Sequence, residues 1–130
     1  MLIILLLIIG IAGILYFNEK TGNFICEGKE GNFDTKYNMI VKKNYVTDII
    51  IEFSYNKREN YIVNGEKLCK NYLDAKMSCE LTSETDTKIV YQIKGTIDQY
   101  RKSQNITSTN LKYDDFRLAL EARDYNCKFK

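Results

Sequence analysis

The chain has 130 residues, 19 basic and 17 acidic, with a formal charge of +2, room for one domain and no more. It lacks histidine, tryptophan and proline. That excludes Ser-His and Cys-His nucleophile pairs, imidazole metal ligands and the usual neutral-pH acid/base group. Charges of both signs are interleaved, so no nucleic-acid footprint stands out, and the densest basic pairs, Lys42-Lys43 and Lys57-Arg58, read as solvated turn residues.

Residues 1–17 carry no charge, and Leu2 to Ile9 is an unbroken run of leucine and isoleucine. A buried core helix fits poorly, since the segment has no polar face. A cleaved signal fits in part, with Gly10 and Ala12 as small residues at a cleavage site, but Ile14 to Phe17 are apolar again and no basic residue precedes the run. An uncleaved helical anchor of minimal length fits better, with Tyr16 and Phe17 placed as interfacial aromatics. The expected organisation is a transmembrane anchor or signal over 1–17, a linker over 18–23 and a domain over 24–130. The positive-inside rule alone would put Lys20 on the cytoplasmic side. The even cysteine count argues for the extracytoplasmic side, which is the reading adopted: single-pass at the cell membrane, or secreted if the segment is cleaved.

Phe24 to Lys29 is a candidate first strand. Phe33, Thr35, Tyr37, Met39 and Val41 alternate with polar residues, a period of two that buries one face of a second strand. Lys43-Asn44 makes a turn, and Tyr45 to Tyr55 continues the alternation, with Ile50 on the opposite face marking a central strand. Asn56 and Glu59 stand at capping-box spacing, and Gly65, Leu68, Cys69, Tyr72 and Leu73 fall at helical spacing, which predicts one helix from Asn56 to about Lys76 with Gly65 allowing close approach to the sheet. Met77 to Leu81 reads as a short strand, Ser83 to Asp86 as a turn, and Thr87 to Ile97 as a long strand. A polar loop follows over Arg101 to Asn110. Tyr113, Phe116, Leu120 and Arg123 mark a second helix with Asp114 and Asp115 in its first turn, and Tyr125, Cys127 and Phe129 alternate in a terminal strand. The expected class is α+β: an antiparallel sheet of four to five strands with two helices on one face, preceded by the N-terminal apolar helix. Leu73 and Phe116 should be largely buried.

The four cysteines contain no C-x-x-C pair, so disulfides are expected rather than a zinc site. Three connectivities are possible. A strand that follows the helix and runs back can bring Cys79 beside Cys69, which leaves Cys26 to hold Cys127. Asp114, Asp115, Glu121 and Asp124 form the one carboxylate cluster, but sequence neighbours do not share a helix face, and helix-start chemistry accounts for them. Glu80, Glu84 and Asp86 are too sparse for a calcium loop. Asn105-Ile106-Thr107 satisfies a glycosylation sequon. Ten tyrosines supply core packing or recognition surface. No catalytic, cofactor or metal residue is assigned.

The helix cysteine Cys69, Cys79 just after it and the tail from Tyr113 to Tyr125-Asn126-Cys127-Lys128 resemble the small YehR-like lipoproteins of low-GC Gram-positive bacteria over about residues 24–128. The resemblance implies an exported domain at the outer face of the membrane, of no assigned activity. Those proteins are anchored through a lipidated cysteine after a small-residue box; Cys26 follows Asn23-Phe24-Ile25 instead, so the apolar segment would have to anchor this chain. The function expected is a non-catalytic domain that meets an envelope protein or peptide. The alternative is a small-molecule or ion-binding module with its pocket between helix and tyrosine-bearing strands, and an enzyme running on carboxylate, lysine or tyrosine comes third.

Overall fold

A computed structural model describes residues 19–57, 65–108 and 111–130. Six strands form one antiparallel sheet in the order β4-β5-β3-β2-β1-β6: β1 (Gly22–Glu30), β2 (Phe33–Lys42), β3 (Tyr45–Asn56), β4 (Ser78–Glu84), β5 (Lys88–Thr96) and β6 (Asn126–Phe129). The helices among the described residues are α1 (Gly65–Asp74), α2 (Ile97–Gln104) and α3 (Tyr113–Glu121). The architecture thus corrects the expected four to five strands and two helices. The N-terminal apolar helix falls outside the described residues; within them, no helix is long and apolar enough to cross a membrane.

Alternation places the core. Phe24 and Cys26 of β1, Tyr37, Met39 and Val41 of β2, Ile49, Ile51 and Phe53 of β3, and Ile93 of β5 share one sheet face, where Leu120 of α3 and Tyr100 of α2 close over them. The β2–β3 link is a two-residue turn with positive φ at Lys43 and Asn44, the combination whose twist matches a hairpin. At the edges, β4 carries a bulge between Leu81 and Ser83 together with Glu80 and Glu84, while β6 is only four residues long. Both are features that discourage edge-to-edge pairing.

The third helix comes from a signal that strand periodicity hides. Ile93, Gly95 and Ile97 continue the alternation, yet the Thr96 hydroxyl accepts from the Gln99 backbone N–H at 3.2 Å and the Gln99 side chain accepts from the Thr96 N–H at 2.9 Å. This capping box ends β5 and starts α2. The predicted helix start at Asn56 is also corrected, because Asn56 closes β3; Glu59 lies outside the described residues. Gly65 opens α1 directly against Tyr91 of β5, whose hydroxyl occupies the space a β-carbon would take.

All three helices end in the same way. Lys76, Asn105 and Asp124 adopt left-handed φ values of 68°, 55° and 66°. The N–H groups of Met77, Ile106 and Tyr125 each donate back to a carbonyl in the last turn: Tyr72, Arg101 and Leu120. The N–H groups of Lys76, Asn105 and Asp124 donate to Leu73, Lys102 and Glu121, which completes the Schellman pattern. Each motif delivers an apolar residue to the core, and Met77 and Tyr125 are buried. This turn also sets the face of α1. Leu68, Cys69 and Tyr72 point inward with Ala75, and Leu73 is 50% exposed, contrary to expectation. Phe116 is partly buried beside Tyr100, with ring centroids 6.0 Å apart.

Disulfides join Cys26 to Cys127 and Cys69 to Cys79, and no described cysteine is free. The first bridges directly opposed residues of β1 and β6 at a Cα separation of 4.0 Å. The second ties α1 to β4 at 5.7 Å.

Candidate interaction surface

The sheet face opposite the helices is covered by none of the described elements, and the strand register dictates what it displays. One cross-strand row runs Lys128, Ile25, Asn38, Ile50, Lys94 and Ser78. The next runs Asn126, Glu27, Lys36, Glu52, Gln92 and Glu80. Opposite charges face each other at Glu27–Lys36 and Lys36–Glu52, and the Gln92 amide donates to Glu52 at 3.3 Å. Such directly opposed pairs stabilise a sheet without cover. Ile40, opposite Asp48 in the row on the other side, is diagonal to Ile25 and Ile50 and is partly exposed. Ile40 and Ile50 therefore present apolar surface ringed by charge, while Ile25 beside them is buried.

Asn38 sits between Ile25 and Ile50, and its side-chain carbonyl oxygen is buried without a hydrogen-bond partner. Leaving such a group unsatisfied costs about 1–3 kcal/mol.

Four tyrosines lie on the other side. Tyr37, Tyr72, Tyr100 and Tyr125 occupy the helix–sheet interface, where burial raises all four side-chain pKa values, that of Tyr72 to about 12. Arg123 opposes the shift at Tyr37, and Gln104 opposes it at Tyr72. The Tyr125 hydroxyl donates to Glu30 at 2.9 Å, and Arg123 pairs with the same carboxylate oxygen at 2.7 Å. These groups stay protonated near neutral pH, and the Tyr125 hydroxyl with Arg123 holds Glu30 of the β1–β2 hairpin to the end of α3. Acid/base work at neutral pH does not suit them.

The acidic residues singled out from sequence are not brought together into a site. Asp114 and Glu121 both pair with Arg117, at 2.7 and 3.0 Å, along α3. Glu84 pairs with Lys57 at 2.9 Å across the sheet end. Asp124 is the left-handed residue ending α3. No group of three or more metal-ligating side chains occurs among the described residues. Asn105 of the sequon is exposed and closes α2. The open face escaped sequence reasoning because its residues are the polar half of an alternation whose apolar half locates the core. Ile50 and Ile40, apolar on the wrong side, were the available signal.

No family model and no curated protein matches the chain. A solved structure does resemble it: the NMR structure of the E. coli YehR protein, with a TM-score of 0.61 and 12% identity, covering 85% of this chain and 92% of that one. The fold is YehR-like. At this identity the likeness is one of fold and transfers no residue role. It also narrows the resemblance drawn from sequence, because the neighbour is an E. coli protein and the match does not place the chain among lipoproteins of Gram-positive bacteria.

Proposed function

We propose that the chain is a non-catalytic domain held at the cell envelope by residues 1–17, facing the extracytoplasmic side, where its open sheet face docks on a protein partner. The observation that carries this reading is the composition of that face: the apolar surface of Ile40 and Ile50, with charged residues at its margin. Protein interfaces share this plan of apolar core and polar rim. Two disulfides suit an oxidising compartment. Kinship with small envelope lipoproteins belongs to the same proposal, with the apolar segment replacing a lipid anchor.

The test is capture of envelope proteins by cross-linking to the full chain, repeated with Ile50→Lys and with Leu118→Lys on the exposed side of α3. Loss of the same captured protein with Ile50→Lys, and its retention with Leu118→Lys, is expected. Equal capture by both variants would refute the assignment of the face, provided both keep the parent circular dichroism spectrum.

A further inference from the structure

Building on the membrane-held reading, we infer that the end of the domain from which residues 1–17 depart is a second interaction surface, one that reads anionic lipid headgroups. The geometry centres on Asn44 in the β2–β3 turn. Its N–H donates to the Lys20 carbonyl at 2.8 Å, and its side-chain oxygen accepts from the Lys20 N–H at 2.7 Å. The Lys43 N–H donates to the Thr21 hydroxyl at 3.1 Å, and the Asn44 carbonyl accepts from the Tyr113 N–H at 3.0 Å. One turn thus pins the start of the described chain and the start of α3 to the same corner of the sheet.

That corner displays four exposed lysines: Lys20, Lys42, Lys43 and Lys112. Tyr45, 40% exposed, lies among them, with the Lys112 ammonium 5.8 Å from its ring centroid. Two acids of this end are already engaged, Asp114 by Arg117 at 2.7 Å and Asp98 by Arg101 at 2.9 Å. Glu19, Asp48 and Asp115 remain to offset the four lysines, which leaves an excess of one positive charge. The opposite end is mixed, with Lys29 paired to Asp34 at 3.8 Å and Lys57 to Glu84 at 2.9 Å.

Distance decides that the patch acts on lipid. Only Asn18 and Glu19 separate Phe17 from the pinned Lys20. From Phe17 to Lys20 is three Cα–Cα steps, about 11 Å at full extension. That upper limit is little more than one Debye length, about 8–10 Å near physiological salt, so charges on the platform are only partly screened from the headgroups. The far end lies a full strand away: β3 has 12 residues, about 40 Å at roughly 3.4 Å per residue, which is several screening lengths. Lys42-Lys43, unremarkable as a turn pair, becomes a juxtamembrane contact once the fold places it beside Lys20 and Lys112.

The test uses the full chain added to vesicles of phosphatidylcholine alone or mixed with phosphatidylglycerol. Flotation comes first, followed by acylation with a water-soluble lysine reagent and peptide mass spectrometry. Lys42, Lys43 and Lys112 should be acylated about fivefold more slowly on the anionic vesicles than on the neutral ones, the factor that headgroup attraction gives per lysine. Lys29 and Lys88 at the far end should react equally on both. A chain that floats but shows the same lysine reactivity on both lipids overturns the inference and leaves the membrane-held reading standing. Failure to float with either lipid overturns the membrane-held reading, and this inference with it.

Discussion

Removing the two disulfides separately, as Cys26→Ala with Cys127→Ala and as Cys69→Ala with Cys79→Ala, should destabilise the domain unequally. The bridges span sequence separations of 101 and 10 residues. Loop-closure entropy in the unfolded chain then makes the first worth about 4.7 kcal/mol and the second a little under about 3 kcal/mol at 25 °C. Each bridge has one buried cysteine, Cys26 and Cys69, and one partly buried, Cys127 and Cys79, so the gaps left by replacement are similar and loop length sets the difference. The long bridge also secures β6, which pairs with β1 through four residues and brings Phe129 against Phe24 at a centroid distance of 4.9 Å. Loss of the long bridge should therefore cost at least about 2 kcal/mol more than loss of the short one, a large part of the ~5–15 kcal/mol available to a domain of this size. Urea unfolding followed by circular dichroism measures both variants, and non-reducing peptide mapping establishes which bridge remains. If the variant lacking Cys69–Cys79 is the less stable of the two, loop length does not govern these bridges and the reasoning fails.

Gly28→Ala should destabilise the domain by about 1–3 kcal/mol, because a β-carbon there meets the Tyr125 ring at 2.6–2.8 Å and that ring is held by Glu30 and by Tyr37; thermal melts unchanged from the parent would contradict this contact. Thr96→Ala removes the side-chain half of the α2 capping box and should cost about 1 kcal/mol in urea unfolding. Leu73→Ala should fall within about 0.5 kcal/mol of the parent and Leu120→Ala should cost about 2–5 kcal/mol, since Leu73 is half exposed and Leu120 buried. The tyrosine layer sets an alkaline limit. The pKa values of Tyr37, Tyr72, Tyr100 and Tyr125 are raised above the ordinary value of 10.0, so the stability linked to their neutral forms is complete below pH 10 and is lost as pH rises toward the folded values, about 12 for Tyr72. Stability should decline by up to about 1.4 kcal/mol per pH unit per tyrosine in that window. Absorbance titration at the phenolate band should show these groups ionising together with unfolding; ionisation near pH 10 without loss of structure would refute their burial.

Period-two alternation located β2, β3 and β5 because a sheet with one buried face leaves a signal at every second residue, and the hydrophobic effect enforces it locally. The same logic failed at Ile97, where an apolar residue in phase with the strand begins a helix: Thr96 and Gln99 carried the information, but a capping box is a hydrogen-bond pattern that alternation cannot weigh. Helix ends were harder to read. No glycine marks the left-handed positions Lys76, Asn105 and Asp124, and their conformation is held by burial of the residue that follows each. That burial decided against Leu73 and in favour of Ala75.

By itself, the amino-acid order determined the disulfide-forming composition, the absence of histidine chemistry, the charge-free first 17 residues and the alternating strands, because each is a property of residue type or of neighbours a few positions apart. Strand order, the open face and the lysine corner depend on residues far apart in the chain, such as Lys20, Asn44 and Lys112 or Ile25, Asn38 and Ile50. Register and turn geometry bring these together, and no local pattern encodes that meeting.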